Sequence, residues 1–325
     1  MREQRKNHAS DIIYESTSWG GIVDSEKTEI NTVGNCDYIM ILAAVTIWGG
    51  SFAATKYALG QADPMLVIWL RLIIGMPVLL AGVMFEKSLR LPAKEEFLPL
   101  FLMGFQGIFF HQAIQSYAMR TAGAGNANWI MMAAPAFVAI FGRIFLKERI
   151  SRTGAAGLIL SAAGVSVVIA LGTIKESVSG NFGSIGDLII FLSVINWAVF
   201  LILSRRVLKS DLPSCFAIFW EMLFSLIVCT PFTYAIGCDF SVIETFTWQT
   251  WASVIFLGAF SSALAYIFWF RALSVLPVAK VVVFQFIQPL AGAVIAYFLV
   301  GERFTVWLFV GGAMILAGVK LVNKR

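Results

Sequence analysis

Three ionisable side chains stand inside long apolar stretches of this chain: Arg71, His111 and Glu221. Burying such a group among apolar neighbours is costly, so each is a functional candidate by default. Arg71 has two readings. Its guanidinium attracts an anionic group, or its long stem lets the charge snorkel to an interface. Glu221 either carries a proton or serves as a hydrogen-bonded structural carboxyl. Around His111, the residues Gly104, Gly107, His111 and Gln115 recur at three-to-four spacing and share one helix face, with Gln106 and Gln112 to its sides. That pattern suits the wall of a water-accessible cavity, and it also suits polar contacts between helices. Further along, Ser262, Tyr266 and Trp269 share a face, as do Gln285, Gln288 and Gly292, while Trp48, Asn126 and Trp129 supply aromatic and amide groups earlier in the chain. Aromatic walls with a few convergent amides describe a pocket for a small, partly apolar ligand. For Trp129 and Trp269, near helix ends, packing and the interfacial aromatic belt compete with that reading. The candidate cavity residues are therefore Trp48, Arg71, Gln106, His111, Gln115, Asn126, Tyr266, Gln285 and Gln288, with Glu221 as a candidate coupling group.

Other chemistries lack their residues. The cysteines at 36, 215, 229 and 238 have no metal-ligand spacing. Nine helical residues separate Cys229 from Cys238, about 13 Å and too far for a disulfide. Only two histidines exist, and His8 is in the polar N-terminal stretch. No GxxxxGK[ST] phosphate loop occurs, so nothing points to ATP drive. A membrane-embedded enzyme is the alternative class, but it needs paired ligands or a nucleophile–base arrangement at depth. Glu148-Arg149 and Glu302-Arg303 read as helix-end turns, with Ser151 and Thr305 placed to cap the next helix. The expectation is a protein without catalytic residues, metal or cofactor.

The elements that must position the candidates are membrane helices. The chain is 59% hydrophobic and 13% charged, against roughly 25% charged in soluble domains. A water-soluble globule needs a polar shell that this composition cannot supply. After residues 1–36, polar and read as a disordered cytoplasmic tail, apolar runs cover 37–57, 65–86, 97–117, 122–145, 153–172, 186–205, 214–236, 249–270, 276–299 and 304–322. Each approaches the ~20 residues that cross a bilayer as a helix. Basic residues cluster in alternate connections, around Arg90, Lys147, Arg205 and Lys324. The positive-inside rule then puts both termini in the cytoplasm of a multi-pass inner-membrane protein. Their short distribution between apolar runs argues against nucleic-acid binding. In this topology Arg71 lies ~9 Å from one face and Glu221 ~10 Å from the other. A direct salt bridge between them is not expected without strong tilt.

The chain repeats itself. Tyr117-Ala118-Met119, Pro135 and Lys147-Glu148-Arg149 recur as Arg271-Ala272-Leu273, Pro289 and Gly301-Glu302-Arg303, all at an offset of 154. Gly104/Gly258, Gly157/Gly311 and Gly164/Gly318 keep that offset, and Trp48/Trp197 and Pro64/Pro213 match at 149. Such self-similarity means duplication of a five-helix unit, 37–172 and 183–322. Five is odd, so the second copy enters the membrane inverted, as in secondary transporters. The expected fold is all-α, ten transmembrane helices in two inverted five-helix repeats. Pro135 and Pro289 fall mid-helix and are expected to kink it, as cavity lining, hinge or packing. Gly154, Gly157, Ser161 and Gly164 form a small-residue stripe, for internal packing or a homodimer seam.

In these residues the chain resembles the EamA family of the drug/metabolite transporter superfamily. Trp48-Gly49-Gly50-Ser51-Phe52 and Arg71 also fit. The resemblance spans roughly 38–322. It implies an exporter or exchanger of small metabolites, amino acids or related compounds, working by alternating access in the lipid bilayer. A multidrug or organic-cation exporter of the same superfamily is the alternative. Phe270-Arg271 and Lys280 depart from the family pattern.

Overall fold

The computed structural model describes residues 35–148, 150–171, 184–208, 212–292 and 306–323. The N-terminal tail, the 172–183 connection, Arg149, Glu302, Arg303 and Thr305 lie outside the described residues. Helices run as α1 (Asn35–Ala58), α2 (Pro64–Phe85), α3 (Lys94–Ala118), α4 (Ala124–Ile130 continuing to Ala134–Phe145), α5 (Arg152–Leu171), α6 (Ile185–Leu208), α7 (Ser214–Ala235), α8 (Trp248–Val275), α9 (Val278–Gly292) and α10 (Val306–Asn323). Among the described residues, seven helices are long and apolar enough to cross a membrane, and α9 and the Phe309–Asn323 stretch of α10 are shorter apolar helices. The protein is an all-α, multi-pass membrane protein.

Local chemistry sets the helix ends. Asp63 accepts the Met65 amide at 2.9 Å ahead of Pro64 at the first turn of α2. Ser151 accepts the Gly154 amide at 3.0 Å, so the predicted cap of α5 forms. Ser184 and Asp187 satisfy each other's amides at 3.1 and 3.2 Å at the start of α6. At the other ends, α2 closes with Ser88 N–H on Val83 O and α7 with Cys238 N–H on Thr233 O, the left-handed residues being Lys87 and Gly237. Those two turns lie 150 positions apart. Lys56 donates to Met119 O at 2.6 Å and Ala122 O at 3.0 Å, and Arg205 donates to Leu273 O. Each cation stabilises the negative C-terminal end of the third helix of its own half.

Irregular backbone repeats too. A π-helical turn occupies Gly104–Phe110 in α3 and Phe256–Leu264 in α8. A 3-10 turn interrupts α4 at Met131–Ala133 and α9 at Val283–Ile287. The expected mid-helix proline kinks thus take a specific form. Pro135 and Pro289 each stand second in a new α-helical segment after a 3-10 turn, where proline's missing N–H costs little.

Small residues let the halves interlock. A Cβ on Gly104 would sit 2.2 Å from Glu221 O of α7, and one on Gly258 would sit 2.9 Å from Arg71 O of α2. The small-residue stripe of α5 packs inside the chain, against α10. A Cβ on Gly157 would meet Gly318 O at 2.6 Å, one on Gly164 would meet Gly311 O at 2.7 Å, and Ser161 donates to Ile315 O at 3.2 Å. As α5 advances from 157 to 164 its partner retreats from 318 to 311, so the two helices run antiparallel.

Candidate functional site

A cavity opens where α1, α2, α3, α4, α6, α8 and α9 converge. It is lined by Trp48, Ser51, Phe52, Thr55, Arg71, His111, Gln112, Gln115, Ser116, Met119, Met131, Trp197, Ser261, Tyr266, Gln285 and Gln288. The lining runs from mid-helix toward the end at which α1 and α3 finish, through Thr55 and Met119. The π turns and the 3-10 turns lie at this level. The π turns add residues to a turn and the 3-10 turns remove them, so both rotate the side chains that follow, a backbone departure that a membrane interior tolerates where it lines a cavity.

Arg71 is the charge of this wall. It is 4% exposed, so the snorkelling reading is overturned: the guanidinium points inward because polar acceptors on α3 and α8 receive it there. Nε donates to Ser262 Oγ at 2.7 Å, Nη1 to Gln112 Oε1 at 2.8 Å and Nη2 to Ser261 Oγ at 3.4 Å. His111 stacks on Trp197, centroids 5.1 Å apart and planes at 25°, with Nδ1 3.4 Å from Asn196 Nδ2. Trp48 donates Nε1–H to Ser261 O at 3.0 Å and packs against Tyr266 and Trp269 at 5.5 and 5.0 Å. Gln115 reaches Ser193 Oγ at 3.3 Å, and Gln288 donates to Asn128 Oδ1 at 3.1 Å, joining α9 to α4. Gln285 is buried on the wall with Oε1 lacking a donor among the described residues.

Several expectations are corrected. Gln106 is not on the wall. It donates to Asn196 Oδ1 at 2.7 Å and clamps α3 to α6. The supposed single face of α3 is split, because the π turn adds residues to the pitch. Gly104 faces α7 and Gly107 faces the Phe200 ring of α6, while His111, Gln112 and Gln115 face the cavity. Trp269 is fully buried and Trp129 nearly so, which removes both from the interfacial belt. The side chain of Asn126 lies outside the described residues. Glu221 is fully buried, and among the described residues neither carboxyl oxygen has a hydrogen-bond partner, so it is not the hydrogen-bonded carboxyl expected. It forms no ion pair with Arg71, in line with the depth argument.

Sequence reasoning missed Gln112, Ser261, Trp197 and Asn128 as parts of the site. Trp197 had a signal, its offset of 149 from Trp48. Gln112 had none, because a regular helix would carry it to the side.

A sequence profile of the EamA-like transporter family matches this chain twice, over residues 37–170 and 184–324. The chain belongs to the EamA-like transporter family. This EamA chain is 28% identical to an uncharacterized transporter of Archaeoglobus fulgidus over 289 residues, 89% of this chain and 97% of that one. It is 26% identical to the uncharacterized transporter YyaM of Bacillus subtilis, covering 87% of this chain and 92% of YyaM. A probable terminal-alkyne amino-acid exporter of Streptantibioticus cattleyicolor is 25% identical, with 89% and 93% covered. One solved crystal structure superposes with a TM-score of 0.70 at 18% identity, over 89% of this chain and 98% of the other, which is a likeness of fold. The function of this EamA chain is membrane transport; its relatives are named as transporters, not enzymes.

Proposed function

We propose that the protein is a secondary transporter that moves a small metabolite, an amino acid or related compound, by alternating access through the cavity. The observation that carries this reading is that both repeats line one cavity, with Trp48, Arg71 and His111 from one and Trp197, Tyr266 and Gln285 from the other. A site shared by two copies of a unit is exposed to alternate faces when one copy rocks against the other. The antiparallel contact of α5 with α10 supports an inverted, ten-helix arrangement, and the basic residues in alternate connections favour cytoplasmic termini. In that topology the end where α1 and α3 finish is external, so the cavity described above faces out. The direction proposed is export or exchange. Exchange or facilitated diffusion is favoured over obligatory proton coupling, because His111 and Glu221 do not share a relay: His111 lines the cavity and Glu221 does not. The organic-cation alternative is disfavoured by the cation in the wall.

Counterflow in proteoliposomes tests the reading. Purified protein should exchange internal unlabelled amino acids for external labelled ones, and empty vesicles should not. A screen by thermal shift against amino acids, nucleosides and amines should find its stabilising ligands among the amino acids. Absence of exchange with every solute class would sink it.

A further inference from the structure

The cavity wall carries a buried cation, Arg71. Among the described residues no carboxylate pairs with Arg71, and its hydrogen bonds all go to neutral acceptors, Ser261, Ser262 and Gln112. Those acceptors hold the guanidinium's position without neutralising it. Guanidinium has five N–H donors, so three bonds leave donors on the terminal nitrogens. Among the described residues no Asp or Glu lines the cavity. A buried charge of this kind is stabilised most by an opposite charge brought to it, and planar carboxylates match the guanidinium fork.

A second unmet group points the other way. Gln285 is 2% exposed, and its Oε1 is buried without a donor among the described residues. An acceptor left so is stabilised by an incoming N–H. In the same cavity lining, the edge-to-face rings of Trp48, Trp197 and Tyr266 form an apolar wall whose ring faces also attract ammonium groups.

Resting on the reading above of an amino-acid transporter, we propose that Arg71 binds the carboxylate of the transported molecule and that Gln285 accepts a hydrogen bond from its amino group, so that amines and amino amides are excluded. Arg71 is preorganised for this by Gln112 and Ser262. Gln285 separates amino acids from the corresponding carboxylates that lack nitrogen.

The test uses the full-length protein in liposomes loaded with one of three mixtures: the common amino acids, their carboxamides, or neutral nucleosides. Solute loss is read by mass spectrometry. Amino acids are expected to leave while carboxamides stay. Arg71→Gln should slow amino-acid efflux roughly ten- to a hundredfold, the loss expected for a charge-assisted contact. Arg71→Lys should retain part of the rate. Gln285→Met should make leucine and 4-methylpentanoate nearly equal as competitors, where the wild type prefers leucine. Carboxamides leaving as fast as amino acids, or Arg71→Gln at wild-type rate, overturns the proposal and leaves transport standing. No movement of any mixture overturns both. If the Arg71 variants fail to give monodisperse protein, thermal shifts of the wild type decide: stabilisation by leucine and not by leucinamide supports the assignment, and the reverse overturns it.

Discussion

Trp48 and Trp197 meet edge to face, with ring centroids 5.7 Å apart and ring planes at 89°. They are the same position in the two halves of the chain, 149 residues apart. Equivalent residues can touch only where the axis relating the halves passes between them. The two indoles therefore mark that axis, and the cavity lies on it. A second equivalent pair has diverged. Arg71 and Glu221 are separated by the same 150 positions as the closing turns of α2 and α7, and each presents its carbonyl to the glycine of the opposite half, Gly258 or Gly104. One became a hydrogen-bonded cation in the cavity wall, the other a fully buried carboxyl.

The orientation is testable by cysteine accessibility. Single cysteines near Arg90, Ile150 and Leu208 should react with impermeant reagents only from the cytoplasm, and those near Val178 and Ser241 only from outside. Labelling of the 150 and 178 regions from one side would end the ten-helix arrangement.

Gln288→Ala and Tyr266→Ala should cut transport while leaving expression and monodispersity nearly intact. Gln288 joins α9 to α4 through one hydrogen bond to Asn128, whose net worth of about 1 kcal/mol is small against a packed bundle. Both side chains line the cavity, so substrate contact is the larger loss. Normal transport by both variants would move them to a packing role.

Gly104→Ala should destabilise the fold by about 1–3 kcal/mol, as overpacking does. The added methyl would lie 2.2 Å from the backbone oxygen of Glu221, which cannot swing aside as a flexible side chain could. By contrast, alanine at Gly237 meets no neighbouring atom and carries only the cost of a positive φ. Thermal unfolding in detergent should rank Gly104→Ala well below Gly237→Ala; the opposite order would contradict the close contact of α3 with α7.

Glu221→Gln should retain substantial downhill flux. Glu221 is fully removed from solvent and among the described residues neither carboxyl oxygen has a hydrogen-bond partner, and glutamine matches the side chain in size without a formal charge. An imposed pH gradient should cause little uphill accumulation in the wild type. Strong gradient-driven accumulation that Glu221→Gln abolishes, with counterflow preserved, would instead make Glu221 the coupling group.

Sequence alone showed an apolar solvent, a multi-pass helical chain and a repeated motif pattern. Each of these is written in one dimension: apolar runs of bilayer length, basic residues in alternate connections, and Pro135/Pro289 or Gly104/Gly258 at a constant offset. It also supplied Trp48, Arg71, His111, Gln115, Tyr266, Gln285 and Gln288 as cavity residues, because polar and large aromatic groups stand out against an apolar background. The tertiary structure decided which of them share one space. The π turns at Gly104–Phe110 and Phe256–Leu264 change the pitch, so face assignments made on a regular helix sent Gln106 into the cavity and left Gln112 out. The direction of Arg71 was equally illegible. A guanidinium at its depth reaches either an interface or a polar interior, and the choice rests on Ser261 and Ser262, which lie 190 and 191 residues away. Helix periodicity is local, whereas acceptors for a buried cation are supplied by whatever the fold brings alongside.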